Sequence, residues 1–222
     1  MRLYELIDFS PKQSKIGAYD NKQRVQNKTQ SRIVGDGAFG TAYDTRSNKR
    51  LNQVTKIGRT GAAMTGQPAK EIGQDGWLSY MHAVHSAQQR GDQNPYFPVM
   101  DDLRIRKDAK GNLTYTANLH KLIPFMAPKI ASNTELMKST YERMFGEECP
   151  SKDWADILDS ITANLQLSRS LSDPDLKNAM NLIDSIVDRS YKGELMKDIH
   201  TGNVMWRLTG TMPHLVIVDP IA

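Results

Sequence analysis

The amino-acid sequence predicts an α+β fold of two lobes, an N-terminal antiparallel sheet with one helix and a mainly helical C-terminal lobe. Strand-like segments separated by turn signals fill the chain up to about residue 123, and amphipathic helices then follow. Strand-like segments return after the helices. The length of 222 residues allows one domain or two closely packed lobes.

The first predicted strands surround a glycine-rich centre. Residues 11–31 are polar and have no sustained period, so we expect an extended or loosely ordered lead-in, assigned to residues 1–31. Strand-like flanks enclose the glycines of residues 32–46, and a turn at residues 47–49 precedes another short strand at residues 52–57. This pattern predicts a hairpin followed by a third strand.

One helix and two strands complete the predicted first lobe. After a glycine-rich link at residues 58–66, Pro68 opens a helix that runs to about residue 88. Residues 99–106 and 113–122 predict two strands joined by a turn-rich loop. Pro124 is expected to end the second of these strands, because proline cannot donate to a ladder.

The second lobe is predicted from helical periodicity and capping residues. Apolar residues recur at helical spacing in three segments: 132–145, 151–170 and 173–192. Ser151 can cap the second segment. Asp173 caps the third, with Pro174 at its first position and Gly193 placed to end it. The predicted parts of the chain are therefore a lead-in at 1–31, a first lobe at 32–123 and a second lobe at 124–222, which ends in a hairpin of strands 203–208 and 215–218.

The charge of the chain is concentrated near its start. The net charge is +4, whereas residues 1–60 hold 12 Lys and Arg against 5 Asp and Glu. Such a region suits an anionic ligand or is a solvated basic surface, and the balance does not by itself indicate a nucleic-acid-binding protein. The single Cys149 fits a reducing compartment, and no stretch approaches the ~20 apolar residues of a membrane span. We therefore expect a cytoplasmic protein without a membrane partner.

A glycine-rich motif lies between the first two strand-like flanks. Gly35, Gly37 and Gly40 form a GxGxxG run, which is followed by β-branched and aromatic residues instead of a helix. Lys56 follows 16 residues after Gly40, where a dinucleotide-binding fold would carry an acidic residue at about 20. The pattern favours a glycine flap whose backbone N–H groups approach phosphates, the alternative being a flexible hairpin turn.

Lys56 lies inside an apolar strand-like segment, residues 54–57. An ammonium group in this setting needs an anionic partner or a route to water. The candidate partners are nucleotide phosphates and a carboxylate of the next predicted helix. Glu71 and Asp75 are four residues apart and would share one helix face, so the pattern does not choose between them.

A second motif combines oxygen-bearing side chains near the end of the chain. Asp198 and Asn203 are five residues apart on a predicted loop, and Asp219 ends a strand of the final hairpin. Such side chains suit Mg²⁺, which shares its coordination sphere with nucleotide phosphates. A carboxylate here can also orient an acceptor hydroxyl and take its proton. Taken alone, Asp198 could equally be a helix cap.

These segments together resemble the protein-kinase-like superfamily. GDGAFGTAY resembles its glycine-rich loop, VTKIG its lysine strand, KDIHTGNVM its catalytic loop and IVDP its metal-binding motif. The D-x-H-x-G-N order is similar to aminoglycoside and choline phosphotransferases, and more so to the early protein kinases of short-tailed bacteriophages. The resemblance implies a compact two-lobed kinase-like fold with a truncated C-terminal lobe.

The resemblance also implies roles for individual residues. Gly35, Gly37 and Gly40 would cover the phosphates of ATP, and Lys56, held by Glu71 or Asp75, would bind the phosphates that are not transferred. Residues 119–124, with Leu122, would be a hinge that contacts adenine through its backbone.

For the reaction itself, Asp198 would be the base or hydroxyl-orienting group, and His200 would lie near the transferring phosphate. Asn203 and Asp219 would hold Mg²⁺.

The implied activity is that of a phage-encoded serine/threonine kinase that modifies a host protein. Departures from the family pattern leave two alternatives open. No Arg precedes Asp198, Asp219 is followed by Pro220, and the sequence shows no activation segment after it. The alternatives are a small-molecule hydroxyl kinase and a catalytically silent module that binds and inhibits a host protein. A protein kinase without this segment would recognise its target through another surface, such as residues 11–31 or the helices at 132–170.

Overall fold

The structure is a computed structural model that describes residues 32–37, 40–44, 53–60, 67–127, 130, 133–190, 193–209 and 212–222. The predicted lead-in at 1–31, the turn at 47–49 and most of the glycine-rich link lie outside the described residues. The division of the chain at residue 123 stays a prediction.

Five antiparallel strands form the first sheet. In chain order they are β1 (Arg32–Gly37), β2 (Gly40–Asp44), β3 (Gln53–Arg59), β4 (Met100–Lys107) and β5 (Leu113–His120), and in space their order is β1-β2-β3-β5-β4. Lys56 is paired with Ala42 on one side and with Ala117 on the other. Directly paired residues point to the same face of a sheet, so Lys56 lies between two small, buried side chains.

The helix of the first lobe starts later than the sequence pattern predicts. Helix α1 spans Gly76–Gln89, and residues Ile72–Gln74 form a separate 3-10 turn. Asp75 is the N-cap, because its side chain accepts a hydrogen bond from the Leu78 N–H at 2.7 Å. The prediction of a helix from Pro68 was therefore wrong. The N-cap Asp75 has an extended backbone, which interrupts the predicted helix, and Gly73 before it lowers the helix propensity of this segment.

The first residue of α1 touches the last residues of the chain. A Cβ atom added to Gly76 would lie 2.3 Å from the Ile221 carbonyl oxygen, a backbone atom that cannot swing away. Gly76→Ala is therefore expected to lower the free energy of unfolding by about 1–3 kcal/mol. Urea unfolding measures this. The matched control is Gly73→Ala, where nothing lies within 4 Å; equal losses in both variants would contradict the packing described here.

Within the described ranges, the helices α2 (Thr134–Phe145), α3 (Trp154–Leu167) and α4 (Pro174–Asp188) follow the first sheet. The predicted cap Asp173 and the first-turn Pro174 of α4 are confirmed. Ser151 does not cap α3; Asp153 does, since its carboxylate accepts from the Ala155 N–H while Ser151 hydrogen-bonds Asp153 and the helical residue Asp156. Gly193 does not end α4, whose C-cap is Arg189.

A second, three-stranded sheet has the order β6 (Ile123–Pro124), β7 (Val204–Thr209) and β8 (Met212–Ile217). Pro124 was predicted only to end β5, but it forms part of β6. Proline is tolerated there because β6 is an edge strand. Val204 and Trp206 face the main hydrophobic core, and the Trp206 indole N–H donates to the Phe125 carbonyl at 2.8 Å.

In the part of the chain that the structure describes, an antiparallel sheet with helix α1, the helices α2–α4 and a small second sheet confirm the predicted α+β class. One hydrophobic core joins α1, the helices α2–α4 and the inner face of β7 and β8. In the described part of the chain, every helix is too short or too polar to span a membrane.

Candidate functional site

The loop before β7 and the residues after β8 are held together by backbone pairing. Met196 and Ala222 exchange two hydrogen bonds, at 2.8 and 2.9 Å, and the Asp198 N–H donates to the Pro220 carbonyl at 2.7 Å. The Val218 N–H donates to the Asn203 carbonyl at 2.9 Å. This pairing brings Asp198, Asn203 and Asp219 to one place, as the sequence motif predicts for one end of the hairpin.

Asn203 has one half of its side chain bound and the other half unsatisfied. Its Nδ2 group donates to the Asp198 carbonyl at 2.6 Å and lies 3.4 Å from the Asp198 carboxylate. The residue is 3% exposed, and its Oδ1 atom has no hydrogen-bond partner among the residues that the structure describes. An unpaired buried acceptor costs about 1–3 kcal/mol, so this oxygen is positioned for a donor or a cation.

His200 is oriented toward Asp198 by its own loop. The Gly202 N–H donates to His200 Nδ1 at 3.0 Å. In the neutral ring this places the proton on Nε2, which lies 3.7 Å from an Asp198 carboxylate oxygen. The Asp198 and His200 side chains are 47% and 39% exposed. The carboxylate is thus supported from one side and open to solvent from the other.

Lys56 is buried among aromatic rings and carboxylates. Its Nζ atom lies 3.8 Å above the centroid of the Trp77 ring and 5.9 Å from that of Tyr115. Burial lowers the pKa of Lys56, while the charges of Asp219 and Asp75 raise it in opposition. An ammonium over an indole ring is held by a cation–π interaction, which strengthens when water is excluded.

Of the two candidate carboxylates, Asp75 is the one near Lys56. Asp75 is 7% exposed and acts on the Lys56 charge. Glu71 is exposed and precedes the 3-10 turn. The expectation that Glu71 and Asp75 share one helix face was wrong, because α1 begins only after Asp75.

Asp219 is a buried carboxyl group at the centre of the cluster. Burial raises the pKa of Asp219 to about 6, an effect that the charge of Lys56 opposes and that Asp75 and Asp198 reinforce. The ionised carboxylate is therefore kept in the fold at a free-energy cost. A bound cation would remove that cost.

Asp219→Asn is expected to stabilise the protein in the absence of metal at pH 8, by about 1–3 kcal/mol. The folded state binds its proton more tightly than the unfolded state, so the ionised group destabilises the fold. The difference in free energy of unfolding between the variant and the wild type should reach its maximum above pH 6 and vanish below about pH 4. Urea unfolding in EDTA at both pH values measures it; a wild type more stable than the variant at pH 8 would contradict this assignment.

The glycine flap and the predicted hinge both precede Asp198, Asn203 and Asp219 in the sequence. Gly37 is paired with Gly40, and Gly40 with Gly58, while residues 38 and 39 between the strands lie outside the described residues. Leu122 packs against a buried apolar cluster formed by Met205, Val216 and Val218. Along the chain, Val218 of this cluster precedes Asp219, and Met205 lies two residues after Asn203.

Trp77 and Tyr115 were not predicted as site residues. The Trp77 and Tyr115 rings lie 4.5 Å apart and form the surface on which Lys56 rests. Helical periodicity assigns Trp77 to a core-facing position, and alternation assigns Tyr115 to a strand. Neither pattern shows that the two rings contact each other and Lys56, because the three residues come from segments that are far apart in the sequence.

The cluster offers hard oxygen donors. In the described ranges, no group of three or more His, Cys, Asp or Glu side chains forms a metal site. The donors available are the Asp219 carboxylate and the unpaired Asn203 amide oxygen. Mg²⁺ often takes only one or two carboxylates and completes its octahedron with water and substrate phosphates, so the donor set fits that ion.

No protein-family model and no curated protein matches the chain. Solved structures that resemble it include a MAP kinase from Leishmania major, with 10% identity and a TM-score of 0.40. The alignment covers 90% of this chain and 48% of that kinase, so the chain spans about half of its length.

Proposed function

We propose that this protein is an ATP- and Mg²⁺-dependent phosphotransferase. The observation that carries the proposal is the buried Oδ1 atom of Asn203, which has no hydrogen-bond partner among the described residues. It belongs to the same cluster as the buried carboxyl group of Asp219 and the exposed carboxylate of Asp198. The cluster therefore combines oxygen donors for a cation with a carboxylate that an acceptor can reach. A buried lysine, Lys56, supplies positive charge beside them.

The nucleotide would bind between the first sheet and β7–β8. Lys56 would leave the Trp77 ring or extend from it toward the phosphates that are not transferred, with Asp75 as its carboxylate partner. Gly35, Gly37 and Gly40 would cover the phosphates, because a backbone without Cβ atoms can approach them closely. The apolar cluster with Leu122 would receive the adenine ring.

Asn203 and Asp219 would hold Mg²⁺, which when bound neutralises charge on the phosphate oxygens. Asp198 would orient the acceptor hydroxyl and take its proton as the oxygen–phosphorus bond forms and the bond to the ADP leaving group breaks. His200 Nε2 lies 3.7 Å from the Asp198 carboxylate, and in this proposal His200 would approach the transferring phosphate.

For the acceptor we propose a serine or threonine of a host protein, with the chain as a phage-encoded kinase acting in the host cytoplasm. The D-x-H-x-G-N order and the Asp-Pro motif support this assignment. The open side of Asp198 is compatible with a protein hydroxyl. A small hydroxyl-bearing molecule is the second candidate, since the same catalytic-loop order is similar to aminoglycoside and choline phosphotransferases.

Incubation with γ-labelled ATP, Mg²⁺ and bacterial lysate tests the proposal. Labelled protein bands that require wild-type protein and fail with Asp198→Asn would support a protein kinase. Label found only in small metabolites would support the second candidate. A wild type that labels nothing while it and Asp198→Asn both bind a lysate protein would contradict the enzymatic function and favour the silent binding module.

A further inference from the structure

The last turn of α3 contacts the loop that carries Asp198. The Gln166 side-chain amide spans this residue with two hydrogen bonds. Its Nε2 group donates to the Lys197 carbonyl at 2.9 Å, and its Oε1 atom accepts from the Ile199 N–H at 2.6 Å. One side chain thus fixes the peptide groups on both sides of Asp198.

The remaining backbone groups of Asp198 are also bound. Its N–H donates to the Pro220 carbonyl at 2.7 Å, and its carbonyl accepts from Asn203 Nδ2 at 2.6 Å. The four bonds hold the main chain at Asp198, while its carboxylate stays open to solvent. The position of that carboxylate is therefore set by these four hydrogen bonds, two of which come from the Gln166 side chain of α3.

The end of α3 that carries Gln166 is packed into the core and bonded to the loop. Leu165, beside Gln166, is fully buried in the main core. Directly after α3, Ser168 Oγ accepts from Lys197 Nζ at 2.7 Å, and the same ammonium group pairs with Asp184 of α4 at 2.5 Å. The helix end and the loop are therefore linked through both the Lys197 side chain and its backbone.

The anchor requires the chemistry of an amide. Gln166 donates to a carbonyl and accepts from an N–H at the same time, which a primary amide can do with its two ends. A carboxylate can only accept, and a methionine side chain of similar length provides neither bond of normal strength. Gln166 also lies 32 residues before Asp198 in the sequence and belongs to none of the motifs.

We propose that Gln166 is a positioning residue for Asp198 and sets the rate of phosphoryl transfer without contributing to nucleotide affinity. This inference rests on the proposed phosphotransferase function. The nucleotide contacts proposed for Lys56, Asp219 and the apolar cluster at Leu122 do not involve α3. A small displacement of a catalytic group slows a reaction strongly, by up to about 100-fold for 1 Å.

The test is steady-state kinetics of Gln166→Met. We expect kcat to fall about 10- to 100-fold while KM for ATP and the Kd for MgATP change less than about twofold. Gln166→Glu keeps the acceptor for the Ile199 N–H and loses the donor, so its kcat should also fall; it is the variant to measure should Gln166→Met not fold. The matched control is Asn164→Leu on the same helix. It removes the hydrogen bond that the Asn164 side-chain amide donates to the Tyr141 hydroxyl, and it should leave kcat unchanged.

The outcomes separate the inference from the function on which it rests. Retention of wild-type kcat by both folded Gln166 variants would overturn the inference alone. An equal loss of kcat in Asn164→Leu, or a parallel loss of MgATP affinity in Gln166→Met, would show a general effect of α3 and overturn it as well. A wild type that binds MgATP and transfers nothing would overturn the proposed function and the inference together.

Discussion

Asp219→Ala is expected to abolish Mg²⁺-dependent binding of ATP, with a loss of affinity of at least about 100-fold. The substitution removes the buried carboxylate that would bind the ion, and it leaves the Asn203 amide oxygen as the other protein donor in the cluster. Calorimetric titration of ATP with Mg²⁺ and with EDTA measures the change. In EDTA the wild type and the variant should bind ATP with similar, weak affinity.

A surface aspartate provides the control for this prediction. Asp101 is 40% exposed and pairs with His120 at 3.2 Å, on a strand that carries none of the proposed metal donors. Asp101→Ala should bind MgATP like the wild type. Equal MgATP affinity in the wild type and Asp219→Ala would show that the ion binds elsewhere and would remove Asp219 from the site.

Asp198→Asn is expected to lower kcat by about 10²- to 10⁴-fold and to leave MgATP affinity within about twofold of the wild type. Asparagine keeps the size of the side chain, and the backbone of residue 198 makes the bonds to Pro220 and Asn203 that hold the loop. The lost function is the acceptance of the hydroxyl proton. Single-turnover transfer from γ-labelled ATP, together with calorimetry, separates the rate from the binding.

The two substitutions therefore separate metal binding from catalysis. A protein that uses Asp198 only to cap or pack its loop would show full transfer in Asp198→Asn. A silent module that binds nucleotide would show the binding loss of Asp219→Ala, and no transfer in either wild type or Asp198→Asn.

The sequence motifs name candidate site residues, but they do not show the contacts that support them. Asp198, Asn203 and Asp219 belong to short motifs whose spacing is visible along the chain, and the structure places them together. Lys56 was expected to need an anionic partner, and Asp75 and Asp219 both act on it. The Trp77 ring below Lys56 and the Gln166 amide across the loop depend on packing between distant segments, which periodicity does not report.

The errors in the fold come from local competition that a pattern of apolar residues does not resolve. The helix predicted from Pro68 begins at Gly76, because Asp75 adopts an extended conformation and caps it. The same shift of the helix start leaves Asp75, and not Glu71, as the carboxylate near Lys56. Ser151 was expected to cap α3, yet Asp153 takes that place, since both residue types are good caps and lie two positions apart. Capping preferences indicate which residues can be the N-cap, and the position of the helix in the fold determines which of them is.

Crystals grown with Mn²⁺ and a non-hydrolysable ATP analogue test the central claim most directly, because the anomalous signal of manganese locates the ion. The proposed function predicts a peak within about 2.0–2.6 Å of both Asn203 Oδ1 and an Asp219 carboxylate oxygen, with phosphate oxygens of the analogue completing the coordination. A nucleotide bound away from Lys56, or an ion bound without Asn203 and Asp219, would contradict it.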